Sequence, residues 1–142
     1  MKKAIYLLFI CSTIAFVSCT PDKKDDPLAP SPSVDDRDKF VGSWMCNENS
    51  QVSGATSYTI SVSKSTSNAN EIAINKFYNL ITQPRATVSG NNITIPYQSL
   101  ASLGFASGTG TLSSTGTSLS MRYIVKIGSN DNDTCTATCT KL

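Results

Sequence analysis

Residues 38–142 predict an all-β domain: an antiparallel meander of about eight short strands, closed as a barrel or, as the alternative, folded as a β-sandwich. Three observations predict it. Apolar residues recur at period two in Tyr58-Ile60-Val62, Ile72-Ile74, Ile93-Ile95-Tyr97 and Leu119-Met121-Tyr123-Val125, with mostly polar residues between them. That alternation marks strands with one dry and one wet face. No window of about eleven residues carries the i, i+3, i+4, i+7 apolar stripe of a helix. Finally, Ser89-Gly90-Asn91-Asn92, Ser114-Thr115-Gly116-Thr117 and Gly128-Ser129-Asn130-Asp131-Asn132 separate the runs with residues that tolerate positive φ, as hairpin turns require.

The strands fall at 43–50, 56–64, 70–79, 85–89, 92–98, 106–113, 118–127 and 133–140. The first begins behind Asp38–Val41, a segment long enough for one helical turn. The fifth contains Pro96, which removes a ladder donor and predicts a bulge or an edge there. The sixth is flanked and interrupted by Gly104, Gly108 and Gly110, which predicts a bend or a close backbone approach. Regular spacing and short connections suit a meander. Roughly 105 residues are enough to bury one compact core.

What precedes the domain is an address. Lys2 and Lys3 lead into an apolar run from Ala4 to Val17, broken only by Ser12 and Thr13. Such a run falls short of the ~20 residues a bilayer span needs and has the layout of a secretory signal. Phe16-Val17-Ser18-Cys19 resembles a bacterial lipobox, although Phe16 stands where leucine is usual. The resemblance implies cleavage after residue 18, lipidation of Cys19 and loss of Cys11 with the signal. Residues 19–37 hold four prolines (Pro21, Pro27, Pro30, Pro32) and five aspartates, and read as a semi-extended tether. Lys24-Asp25-Asp26 resembles the export signal of Bacteroidota surface lipoproteins; a plain soluble spacer is the other reading.

Phe40-Val41-Gly42-Ser43-Trp44 carries a Gly-x-Trp on the first strand of the meander. With the strand pattern, it resembles the calycin barrels, lipocalins included. The resemblance implies that Trp44 plugs the closed end and that a basic side chain, Lys141 or Arg122, covers it. The other lipocalin motifs are absent. The bland alternative makes Trp44 ordinary sandwich core. Signal, tether and domain together resemble small, uncharacterised Bacteroidota lipoproteins, a resemblance that brings no reaction with it.

Composition excludes much chemistry. The 142 residues carry a formal charge of +2 and no histidine. Since Lys2 and Lys3 supply that excess, the chain from Cys19 onward is neutral, which argues against nucleic-acid binding. Without histidine the commonest general base and metal ligand are missing. Cys135 and Cys139 lie on one face of the last strand, about 13 Å apart, too far to bridge each other. Cys46 on the first strand is therefore the partner of one of them, if the meander closes. Antiparallel register favours Cys139, but its nearness to the chain end favours Cys135, and the balance tips to Cys135. The leftover thiol is expected to be a buried small hydrophobe.

Glu48 and Glu71 are the only glutamates, and both are expected to face solvent rather than form a glycosidase pair. Asn130-Asp131-Asn132-Asp133 has calcium-like oxygen ligands but reads as a polar hairpin. No metal and no cofactor is expected. Trp44, Tyr58, Tyr78, Tyr97 and Tyr123 are the candidates to line a ligand pocket, although strands this short favour a filled or half-open barrel. The expectation is a non-enzymatic binding module, lipid-anchored at the outer membrane and exposed on the cell surface, for a small apolar or glycan-like ligand. The alternative is a structural or interaction lipoprotein with a filled barrel and no ligand.

Overall fold

The dry faces of the predicted strands meet in a closed barrel. The computed structural model describes residues 34–128 and 132–142. Its strands are β1 (Gly42–Ser50), β2 (Gly54–Lys64), β3 (Glu71–Asn75), β4 (Arg85–Ser89), β5 (Asn92–Ser99), β6 (Gly104–Leu112), β7 (Ser118–Ile127) and β8 (Asp133–Lys141). Each pairs with the next in antiparallel fashion, and β8 returns to β1, so the sheet has no free edge strand. The closed meander settles the choice between barrel and sandwich. The signal peptide, Cys19, Lys24, Asp25, Asp26, Asn130 and Asp131 lie outside the described residues.

Alternation decides what fills the barrel. On β1, Trp44, Cys46, Glu48 and Ser50 point inward; on β7, Leu119, Met121, Tyr123 and Val125 do. The inward positions of β6 are Ala106, Gly108, Gly110 and Leu112. Their small size is used: a Cβ on Gly108 would collide with Tyr123, and one on Gly110 would lie 2.9 Å from Ile93. Bulky residues of β5 and β7 thus occupy space that β6 leaves. Trp44, Tyr123, Phe40, Phe77 and five isoleucines are fully buried, and the interior is packed with side chains. The concavities with described linings open on the outer wall.

The two ends differ. One is capped by residues 35–40, directly ahead of β1. Residues 36–39 form a 3-10 turn, which takes in part of the segment assigned to the tether. Arg37 donates to the carbonyl oxygens of Ser65 and Asn68, and Lys39 to Asn91. Lys64 pairs with Asp35 and Asp38. Trp44 sits beneath, its indole N–H donating to the Phe40 carbonyl at 2.8 Å. Lys141 is the basic cover, with Nζ 5.2 Å from the Trp44 ring centroid and 2.8 Å from the Lys39 carbonyl. Arg122 points outward instead.

Three expectations need correction. The third strand does not run 70–79: it ends at Asn75, and Phe77–Asn79 form a tight 3-10 turn at the opposite end of the barrel. Cys46 is bonded to Cys139, not Cys135. The register places Cys46 directly opposite Cys139 and Ser50 opposite Cys135, and ladder bonds that continue to Lys141 hold Cys139 in place despite its nearness to the chain end. Cys135 is the buried free thiol. Lastly, Tyr97 is not inside. Between Ile95 and Gln98 the register against β6 shifts, so that Pro96 and Tyr97 oppose the single residue Ser107. Two residues against one is a β-bulge, and it turns Tyr97 to solvent, against the parity set by Ile93 and Ile95.

Candidate functional site

The end opposite Trp44 carries a polar cluster at the mouth of an otherwise apolar interior. β1 supplies Glu48 and Ser50, β2 Tyr58, β7 Tyr123, and β8 Asp133 and Cys135. Each is placed inward by the same alternation that buries its apolar neighbours. Glu48 therefore does not face solvent as expected; it is only 5% exposed. Its parity with Trp44 and Cys46 was the signal, overridden by the rule that glutamate is rarely buried unless partnered. It is partnered here. The hydroxyls of Tyr58 and Tyr123 both donate to Glu48 Oε2 and lie 3.2 Å from each other.

Asp133 anchors a second, adjoining group. It accepts from Ser50 Oγ at 2.6 Å, Tyr78 Oη at 2.6 Å and the Val52 backbone N–H at 3.1 Å. The turn Phe77–Asn79 lies over both groups like a plug. Phe77 packs on the Tyr123 ring with centroids 4.5 Å apart, while Tyr78 reaches Asp133. To aim both rings inward, Lys76, Tyr78 and Asn79 adopt φ of 59°, 55° and 54°. Left-handed backbone at three non-glycine residues within four is costly, and such strain persists only where surrounding contacts enforce it.

The electrostatics favour neutral donors around acceptors. Burial, then the bond to Glu48, pushes the Tyr58 phenol well above its usual range. Burial and the neighbouring Tyr58 do the same to Tyr123, with Glu48 adding to both. The Cys135 thiol is also raised, first by burial and then by the nearby Glu48 and Asp133. Burial pushes Asp133 up, but the bonds from Ser50, Tyr78 and Val52 outweigh it and hold the carboxyl below its usual value. The result is a set of carboxyl acceptors facing un-ionised phenols and an un-ionised thiol. It can bind hydrogen-bonding groups. It offers no activated nucleophile.

Of the five aromatic candidates, the cluster brings together Tyr58, Tyr78 and Tyr123. Trp44 seals the other end, and Tyr97 stands on the outer wall. Glu71 also lies away from Glu48, near the capped end on the outward parity of β3, with Arg85 Nη1 at 3.9 Å. Glu48 and Glu71 therefore form no pair. Among the described residues, no three His, Cys, Asp or Glu side chains gather as a metal site. Sequence reasoning missed Glu48, Ser50, Phe77 and Asp133 as members of the cluster.

No protein family matches the chain. No curated protein matches it either. Among solved structures, the fold is similar to that of EF1p2_mFAP2b bound to DFHBI. The TM-score is 0.56 and the identity 16%, over 76% of this chain and 99% of that one. At that identity the likeness is one of fold. This chain is an all-β protein with a closed, eight-stranded antiparallel meander barrel, a form that fits the calycins.

Proposed function

We propose that the protein is a non-enzymatic binding module, lipid-anchored through Cys19 at the outer membrane and exposed on the cell surface. It takes a small apolar or glycan-like ligand at the end opposite Trp44, the open end once the turn Phe77–Asn79 moves aside. One observation carries this reading: a polar cluster, Glu48-Tyr58-Tyr123 beside Asp133-Ser50-Tyr78, lies under a turn whose backbone is strained to cover it. A ligand with an apolar ring and one or two donors would displace Phe77 and Tyr78 and take over their contacts, relieving the strain. Glu48 and Asp133 would accept its hydrogen bonds. The similar fold of EF1p2_mFAP2b is seen bound to DFHBI, which supports a barrel of this form as a ligand carrier. The absence of histidine from the sequence and the raised thiol and phenols argue against catalysis. The neutral chain after Cys19 argues against a nucleic-acid partner.

Native mass spectrometry of the full-length protein, extracted in detergent from the cells that make it, tests the proposal. The expected spectrum shows acyl mass at Cys19, lost in Cys19→Ala, and a bound compound that is absent from Glu48→Gln but kept in Phe77→Ala, which vacates the space the ligand takes. Protein carrying acyl groups and nothing else would favour a second reading, for which the packed interior is the specific support: an anchored structural or interaction lipoprotein whose barrel is a rigid body.

A further inference from the structure

The outer wall near the open end has a feature that neither the barrel core nor the open-end site uses. Tyr97 is 72% exposed, Phe105 41% and Ile124 40%. They stand together across β5, β6 and β7. Tyr97 and Phe105 are stacked, with centroids 5.1 Å apart and ring planes within 4°. Ile124 is paired with Ser107, and Lys126 is the direct cross-strand partner of Phe105. With Asn132 these residues line a concavity of about 270 Å³.

The arrangement is built rather than incidental. Strand parity would have buried Tyr97, and the bulge at Pro96 is what turns it out; bulges commonly re-aim side chains at sites. The bulge also interrupts the ladder. On the other side of β5, beyond its last pair with β4 at Thr87–Thr94, the Gln98 side chain bonds to β4 instead, accepting from the Arg85 N–H at 2.9 Å and donating to the Arg85 carbonyl at 2.7 Å. Phe105 supports the inner face of Tyr97, leaving the outer face to solvent. An exposed aromatic face backed by a second ring resists side-chain reorientation, so little freedom remains to be lost on binding.

The chemistry of the lining selects the ligand. The π face carries negative charge and attracts weakly positive C–H groups. Around it, Ser107 offers a hydroxyl, Asn132 an amide and Lys126 an ammonium group. A wholly apolar ligand would strip water from all three without replacing their hydrogen bonds. A second copy of this chain would bring Lys126 towards its own symmetry mate in a two-fold contact. Three apolar side chains also fall far short of the ~800 Å² per partner that a standard interface buries. The volume lies below the ~300–1,000 Å³ of sites for drug-sized molecules, so the site suits a single ring. One chemical class presents a flat array of C–H groups on one face and hydroxyls around its edge. We propose that Tyr97, backed by Phe105, stacks against a pyranose ring of a polysaccharide whose hydroxyls meet Ser107, Lys126 and Asn132. This wall site is separate from the open end and stands whether or not the open end takes a ligand.

Affinity electrophoresis of the detergent-solubilised full chain tests it, through gels containing in turn a β-glucan, an α-glucan, a mannan, a xylan and polygalacturonate. At least one polymer should retard the protein. Tyr97→Ala should weaken that retardation about tenfold, the scale of one lost aromatic stack. Tyr97→Phe should preserve it, since the ring and not the hydroxyl makes the contact. Lys126→Gln should weaken it for polygalacturonate more than for the neutral polymers. Circular dichroism should show both Tyr97 variants folded. Should Tyr97→Ala fail to fold, Phe105→Ala, which removes the supporting ring, carries the same expectation. Free migration through the whole set overturns the proposal. So does retardation unchanged by Tyr97→Ala, or abolished only by Glu48→Gln, which would move the site to the open end. Sedimentation showing a dimer that dissociates in Tyr97→Ala, without polymer binding, would instead make the wall a self-association surface.

Discussion

Glu48 shows how one buried acid can be held by neighbours that share its face. Two phenol hydroxyls donate to the same carboxyl oxygen, and the rings carrying them fill the barrel beside it. Tyr123→Phe keeps the ring and removes one donor, so it should destabilise by about 1–3 kcal/mol, measured by urea unfolding against the parent. The same phenols set the alkaline limit. Their folded pKa values lie above the ordinary 10.0. This stabilisation is complete below about pH 10, where the unfolded phenols are still protonated, and is lost as pH rises further. Tyrosinate absorbance from Tyr58 and Tyr123 should therefore emerge together with unfolding; emergence from a folded barrel would contradict their burial. Asp133 acts with the opposite sign. Its folded pKa is depressed below 3.8, so its contribution is present above about pH 4 and fades as pH falls through the folded value. Asp133→Asn should flatten the acid limb of a stability–pH profile.

At the scale of elements, the seam between β1 and β8 bears a covalent check. Cys46 and Cys139 enclose a sequence separation of 93, for which loop closure contributes about 4.6 kcal/mol in the chain-entropy view. Cys139→Ser should lose stability of that order, and peptide mapping of unreduced protein should link Cys46 to Cys139 while Cys135 is alkylated only after unfolding. A Cys46–Cys135 peptide would mean that the register is wrong by four residues. Strand identity was legible here because each run of alternating residues carried its own evidence of parity. What lay beyond reading was whatever depends on two strands at once. The disulfide choice between Cys135 and Cys139 turned on register, which no single strand specifies. Tyr97 turned on a bulge, and although Pro96 announced an irregularity, it could not say which following side chain would change face. The run 70–79 looked continuous because Phe77 and Tyr78 are good strand residues. Their contacts with Tyr123 and Asp133, made across the barrel, outcompeted the ladder.

Across the whole molecule the polarity of the barrel was half legible. Gly42 and Trp44 marked the sealed end, and Lys141 over Trp44 was one of two expected covers. Trp44→Ala removes the largest buried ring of that seal and should cost about 3–5 kcal/mol; a loss under about 1 kcal/mol in urea unfolding would make the residue peripheral. The open end was not legible, because its cluster gathers residues from β1, β2, β7, β8 and the turn after β3 that share no local pattern.

The strap at residues 35–39 has a mechanical consequence. The chain enters the barrel at the sealed end, directly ahead of β1. Were the protein tethered through its N-terminal segment and held by something bound at the far end or on the wall, tension would run lengthwise along β1. Before the sheet is strained, that load must peel away Asp35, Arg37 and Lys39 from Lys64, the Ser65 and Asn68 carbonyls and Asn91. It next meets β1 in shear, with the hydrogen bonds to β2 and β8 loaded side by side rather than broken one after another. The Cys46–Cys139 bond then passes force from the first strand to the last. Loaded in that way, a fold with its strap and covalent seam at the end where β1 begins would bear the tension without unzipping.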